Sequence, residues 1–266
     1  MQKTKTKIMG ILNVTPDSFS DGGAYDHPPQ ALSHALQMQS EGADYIDVGA
    51  ESTRPGFTPL NEEEEWQRLK VILPILSKTL SIPVSIDTYK AKIAEQALGQ
   101  GVAMINDVWG GLADPDIFRV VAGSDAAYVL MHNSTQAPIQ GADVVREVRQ
   151  QLERRVEVAL ASGVREGQII LDPGIGFGKT QAQNLELINR LDELRIASLP
   201  MLIGPSRKSV IGQALGLPVN ERVEGTSAIV AVSIVRGADI IRVHDVLSMV
   251  RVAKMTDALL MNAVLV

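Results

Sequence analysis

The sequence predicts a single (β/α)8 barrel, and three observations predict it. Eight short runs rich in Ile, Val and Leu recur along the 266 residues, hydrophobic throughout rather than at alternate positions, as in parallel strands buried on both faces. Segments of helical periodicity separate them. Polar residues gather just after the apolar runs, which is where a barrel keeps its active site. A doubly wound open sheet needs a similar strand number and length, and is the alternative architecture. At this length one barrel domain accounts for residues 1–266.

The first run, Ile8 to Val14, follows a basic stretch and is cut short by Asn13 and Pro16, with no small-residue cleavage pattern, so it reads as a strand. Tyr45 to Gly49 and Val84 to Asp87 follow. Between these two, residues 61–80 open with Asn61 as a candidate cap and four glutamates suited to the positive end of a helix dipole. Trp66, Leu69, Ile72, Leu76 and Leu80 then recur on one face, and Pro74 should kink the helix. Ala103 to Val108 and Ala127 to Met131 are the fourth and fifth strands. A helix over 143–162 presents Val145, Val148, Leu152, Val156 and Leu160, with Gly163 as its stop. Ile169 to Asp172, Met201 to Gly204 and Asp239 to Val243 complete the eight. The segment from Gly225 to Val235 is almost wholly apolar, so close packing by its neighbours is expected. The Pro/Gly-rich stretches at 20–29 and 53–59 sit after strands, as working loops do.

Composition narrows the function. A 45% hydrophobic content suffices for a large core. A net charge of −6 and a pI near 5.3 argue against nucleic acid as a general partner, because phosphate backbones need a cationic face. No cysteine is present, which removes disulfide and thiolate chemistry. No apolar run approaches the roughly 18 residues that span a bilayer. The expectation is a soluble, cytoplasmic protein with no membrane partner.

Each strand end carries a polar side chain: Asn13, Asp47 with Glu51, Asp87, Asn106 with Asp107, His132, Asp172, Lys208, and Arg242 with His244. Singly, such residues often cap the following helix. Their convergence on one face points to a site. Asp87, Asn106 and Asp172 suit a heterocycle bearing amino and ring N–H donors, or a hard metal with few protein ligands. Arg54, Lys208, Arg242 and His244 suit phosphate oxygens. In PMLIGPSRKS, at 200–209, a short strand ends in a Gly/Pro turn and hands Ser206, Arg207 and Lys208 to a helix start, a way to hold an anion or an electron-rich ring. DPGIGFGKT, at 172–180, ends like a phosphate-binding loop, but Pro173 stands where the first glycine belongs. Gly174, Gly176 and Gly178 instead read as a tight turn with close backbone approach. A Schiff-base role for Lys208 is a further alternative.

With these residues in view, the chain resembles the dihydropteroate synthases across essentially its whole length. The motifs are GILNVTPDSFSDGG at 10–23, DVGAESTRPG at 47–56, SIDTYK at 85–90, NDVWGG at 106–111, DPGIGFGK at 172–179, GPSRKS at 204–209 and IRVHD at 241–245. The resemblance implies that a dihydropterin methyl pyrophosphate loses pyrophosphate, with magnesium assisting, and that the amine of 4-aminobenzoate attacks the resulting pterin cation. Carried over by position, Asp172 and Asn106 would bind the pterin nitrogens, Asp87 would stabilise the cation, and Lys208 would contact the ring. Val108, Met131, Phe177 and Gly204 would shape that pocket. Asn13 would join magnesium and pyrophosphate, with Thr53, Arg54, Arg242 and His244 holding pyrophosphate. Phe19, Asp21, Thr53, Arg54, Pro55 and Ser209 would complete the aminobenzoate side, with Asp21 and Arg54 on closing loops.

The resemblance also implies a homodimer, for which the helix from Leu247 to Leu260 is a candidate contact. Departures from the family pattern are HNSTQAP after the fifth strand, Phe57, and Pro205. Alternative functions are a pterin-binding methyltransferase component and a non-catalytic pterin-binding paralogue.

Overall fold

The computed structural model describes residues 5–14, 27–51, 60–134, 139 and 143–262. Eight parallel strands alternate with helices: β1 (Lys7–Asn13), α1 (His27–Glu41), β2 (Tyr45–Gly49), α2 (Glu62–Thr79), β3 (Val84–Asp87), α3 (Ala91–Leu98), β4 (Met104–Asp107), α4 (Ile117–Ala122), β5 (Ala127–Met131) and α5 (Val144–Ala161), then β6 (Ile169–Asp172), α6 (Gln181–Asn189), β7 (Leu202–Ile203), α7 (Ser209–Leu215), α8 (Val223–Val235), β8 (Ile240–Val243) and α9 (Val246–Asn262). The strand order is β6-β5-β4-β3-β2-β1-β8-β7. A parallel bridge between Leu171 and Met201 joins the two ends, with Leu171 N–H donating to Pro200 at 2.8 Å. An open sheet has no such closure. The architecture is therefore the (β/α)8 barrel.

Because strand side chains alternate faces, one parity points into the barrel and the other toward the helices. Met9, Met104, Val129, Ile170, Leu202 and Ile240 pack together as the interior core. Ile8, Leu12, Ile46, Val48, Ile86, Ile105, Leu130 and Ile241 belong instead to the larger core under the helices. This parity decides which strand-end residues can reach the barrel mouth.

The helices follow their sequence signals with two corrections. Asn61 caps α2 in a reciprocal box with Glu64, and the helix continues through Pro74. In α5 the buried stripe is Val145, Val148, Leu152, Val156 and then Ala159. Leu160, expected on that stripe, is exposed, since a position 15 residues beyond Val145 has drifted about 60° off the face. Gly163 at φ +93° ends the helix region. α8 is not enclosed all round: Thr226, Val230, Ser233 and Ile234 are buried, whereas Val232 and Val235 are exposed. A barrel helix has only one face against the strands. α9 returns to the chain start, where Asp257 accepts from Thr6 N–H at 2.9 Å and from the Thr6 hydroxyl at 2.8 Å. No helix among the described residues is long and apolar enough to cross a membrane.

Candidate active site

The inward parity runs Met9–Ile11–Asn13 on β1, Tyr45–Asp47–Gly49 on β2, Ser85–Asp87 on β3 and Met104–Asn106–Val108 through β4. It continues with Ala127–Val129–Met131 on β5, Ile170–Asp172 on β6, and Ile240–Arg242–His244 through β8. In register, Asn13 lies beside Gly49, Gly49 beside Asp87, and Asp87 beside Asn106. Met131 lies beside Asp172. Parity and register thus bring Asn13, Asp87 and Asn106 together and set Met131 beside Asp172 at the carboxyl end of the barrel. Arg242, which pairs with Met9 in register, completes the ring by reaching Asp87 through its long side chain.

Arg242 is the electrostatic hub. Its Nε donates to Asp47 Oδ2 at 2.6 Å and its Nη2 to Asp87 Oδ2 at 2.7 Å. Asn106 Nδ2 also donates to Asp47 Oδ2, at 3.0 Å. Asp47 is fully buried, and its Oδ1 has no hydrogen-bond partner among the described residues. Burial raises Asp87 to about 7, opposed by Arg242 and reinforced by Asp47. Burial alone would lower Arg242, yet Asp47 and Asp87 together hold it above its ordinary value.

Across the mouth, Asp172 Oδ1 accepts from Gly174 N–H at 2.7 Å. Burial pushes this carboxyl up, against the pull of Lys208. Lys208 Nζ lies 4.6 Å from the centre of the Phe177 ring and donates to the Ile175 carbonyl. Burial brings it down to about 8, with Asp172 opposing. Gly176 has φ +86°, and a Cβ there would stand 3.0 Å from Lys208 Cδ. The glycine is what lets the loop pass over the lysine stem. A Cβ at Gly204 would sit 3.9 Å from both Lys208 Nζ and Arg242 Cβ, so Gly204 keeps the floor between the two cations open. Val108 and Met131 are buried on the inward parity.

Arg207 does not serve as an anion ligand here. It adopts φ +57°, its side chain binds Asp245 through both Nε and Nη2, its N–H donates to Thr226 Oγ1 at 3.2 Å, and its carbonyl accepts from Arg222 Nη1 at 3.0 Å. These ties hold a strained residue that turns the next one, Lys208, inward. His244 Nδ1 lies 2.9 Å from Ser206 Oγ, which also accepts from His244 N–H at 3.2 Å. Ser209 is exposed at the start of α7.

His132 and Asp107 are on the outward parity and leave the ring. Asp107 accepts from Tyr128 Oη at 2.7 Å and from Trp109 and Gly111 N–H at 2.8 and 2.7 Å. It fixes the turn after β4. His132 meets Gln151 of α5 at 3.1 Å. Two further groups went unread in the sequence because their partners, backbone carbonyls and carboxylates, are remote in the chain. Arg155 donates to the carbonyls of Trp109, Met131 and Asn133, joining the loops after β4 and β5. Lys90 Nζ lies 2.8 Å from both Glu51 Oε2 and the Leu60 carbonyl, with Glu65 at 2.5 Å. Leu60 N–H donates to the same Glu51 oxygen at 3.1 Å. Phe19, Asp21, Thr53, Arg54, Pro55 and Phe57 lie outside the described residues.

This ring defines a class: a (β/α)8-barrel protein whose strand ends pair buried carboxylates with two inward cations and an aromatic face, fit for a planar, N–H-bearing, anionic ligand. A family model described as pterin binding enzyme matches residues 9–244. A dihydropteroate synthase of Clostridium beijerinckii is 49% identical, over 95% of this chain and 94% of that protein. A Clostridium difficile dihydropteroate synthase solved in the presence of pteroic acid superposes with a TM-score of 0.93 at 45% identity, covering 97% of this chain and 98% of that one. A Xanthomonas albilineans dihydropteroate synthase solved with 4-aminobenzoic acid gives 0.91 at 39% identity, covering 96% and 93%. The chain belongs to the dihydropteroate synthases, within the family of pterin-binding enzymes.

Proposed function

We propose that this protein condenses 6-hydroxymethyl-7,8-dihydropterin pyrophosphate with 4-aminobenzoate to give 7,8-dihydropteroate and pyrophosphate. The observation that carries the reading is the presence in one mouth of Asp172, anchored by Gly174, and of Lys208 beside the Phe177 ring, close enough for the lysine charge to pull on the carboxyl. Asp172 and Asn106 bind the amino and ring N–H groups of the pterin, where a buried carboxylate discriminates against any ring lacking them. Lys208 and Phe177, in contact with each other, border the ring together, with Val108, Met131 and Gly204 around it. The methylene carbon–oxygen bond breaks with its electron pair leaving on pyrophosphate. The 4-aminobenzoate nitrogen then gives its lone pair to that carbon and loses a proton to water. Asp87, ionised above about 7, faces the developing cation. Arg242 and His244 meet the departing oxygens, so Arg242 exchanges part of its carboxylate pairing for phosphate. Thr53 and Arg54 on the pyrophosphate side, and Phe19, Asp21, Pro55 and Ser209 on the aminobenzoate side, complete the assignment.

The mouth fits magnesium in the sense that it offers hard oxygen donors and room. A Cβ at Gly49 would sit 3.6 Å from Asn13 Oδ1 and 3.9 Å from Asp87 Oδ2, filling the gap between them. Among the described residues no cluster of three metal-ligating side chains exists, which suits an ion that keeps its waters and phosphate ligands. Asn13 would hold it, and when bound it would neutralise charge on the leaving pyrophosphate.

The direct test is to incubate the purified protein with both substrates and magnesium. One pyrophosphate per dihydropteroate is expected. No dihydropteroate at all, or dihydropteroate formed without an equal amount of pyrophosphate, would contradict the reading.

We further propose a homodimer formed through α8 and α9. These adjacent helices expose Val232 and Val235, and Leu247, Met255 and Leu259, respectively. A symmetric pair would cover them. Light scattering is expected to give twice the chain mass, and Val235→Glu with Leu259→Glu the single mass. A monomeric wild type would sink the proposal.

A further inference from the structure

We infer that Lys179, with His132 behind it, is a positioning element that fixes the pterin half of the site, an inference that rests on the reading of that half as the dihydropterin pocket. The loop from 173 to 178 carries Gly174, Gly176 and Gly178, all at positive φ. Such a segment has few side chains with which to hold its own shape. It is pinned from three directions. Asp172 takes Gly174 N–H, Asn184 Oδ1 takes Gly176 N–H at 2.7 Å, and Lys179 Nζ donates to the carbonyls of Gly174 and Phe177, each at 2.9 Å.

The third donor of that ammonium goes to His132 Nδ1 at 3.1 Å. The direction of this bond is set from outside. Gln151 Nε2 donates to Glu147 Oε1 at 2.7 Å, which turns its amide oxygen toward His132. The ring nitrogen facing that oxygen must carry the proton, so a neutral His132 accepts at Nδ1. Burial and the nearby Lys179 and Arg155 charges lower His132 to about 3 and keep it neutral. The chain Lys179, His132, Gln151, Glu147 therefore has one polarity. In its ammonium form Lys179 uses all three protons, and no carboxylate lies within ion-pair distance of it among the described residues; burial brings it down to about 7, with Asp172 opposing. Its carbonyl partners flank the turn that sets Phe177 beside Lys208.

The test compares KM for the dihydropterin pyrophosphate and for 4-aminobenzoate in wild type, Lys179→Met, His132→Leu and the double variant, with thermal unfolding alongside. Lys179→Met is expected to raise the pterin KM about tenfold and leave the aminobenzoate KM within about twofold. His132→Leu is expected to raise the pterin KM about threefold, and the double variant to be no worse than Lys179→Met, because both losses act through the same bonds. Equal changes in the two KM values, or none, would overturn the inference. Should Lys179→Met fail to fold, the same split in His132→Leu decides. A wild type that forms no dihydropteroate contradicts the functional reading instead, and titration calorimetry of the same variants with the dihydropterin pyrophosphate then decides this one.

Discussion

Asp172→Asn is expected to lower kcat/KM for the dihydropterin substrate by about 1,000-fold without lowering the melting temperature. The amide keeps an oxygen for Gly174 N–H, so the turn survives. It loses the charge and presents an N–H where the pterin also presents one. Two charge-assisted hydrogen bonds, at about 1.5–3 kcal/mol each, account for a factor of that size. Folding should not suffer, because burial already disfavours the ionised carboxyl in the native state and a neutral amide relieves that cost. Steady-state kinetics and thermal unfolding on one preparation decide it. A loss under about tenfold would mean that the pterin is read elsewhere, and a collapse of the melting temperature would make Asp172 a folding residue.

The fold was legible because the strands are short, continuous apolar runs. Boundaries differ from expectation by one residue or so, as at β1 and β4. β7 is the weakest: only Leu202–Ile203 is strand, with Met201 contributing a single bridge. Alternation was the more powerful signal at the strand ends. Starting from Met104, a step of two reaches Asn106 and another reaches Val108, whereas Asp107 falls outward onto Tyr128. From Val129 the same step reaches Met131 and passes over His132, which explains why His132 faces α5 rather than the ligand. The departure HNSTQAP therefore begins beyond the inward set.

Other features required three dimensions. Arg155 and Lys90 act on carbonyls and carboxylates distant in sequence, and no motif spacing encodes that. Arg207 looked like the natural anion ligand of the SRKS turn, but its side chain belongs to Asp245 and its backbone to Thr226 and Arg222. A cation next to a glycine turn is ambiguous until its partner carboxylate is located. Leu160 shows the same limit on a helix, since a drift of about 60° over four turns separates core from solvent.

The opposite consequence is expected at Arg242, where function and stability share one side chain. Arg242→Met would leave Asp47, fully buried, and Asp87 without their common cation. Breaking a buried pair from one side costs about 3–5 kcal/mol, or a fall in melting temperature of roughly 10 °C for a chain this size. The pH dependence carries the sign. Wild-type Asp87 sits near 7 with Arg242 pulling it down, so removing that charge moves it further up. The native state then binds a proton that the unfolded chain, titrating near its ordinary value, does not, and stability falls as pH rises through the window between the two values. Relative to wild type, whose Asp87 already sits near 7, this part of the deficit should therefore open as pH rises above about 7 and close below it, where Asp87 is protonated in both proteins and no longer needs the arginine. Activity should be lost at both ends, since pyrophosphate loses its ligand and the carboxylate that faces the cation is neutral over a wider range. Melting curves from pH 5 to 9 read the first effect, and kcat/KM over the same range the second. A variant within about 2 °C of wild type at pH 8 would show that the two carboxylates do not depend on Arg242.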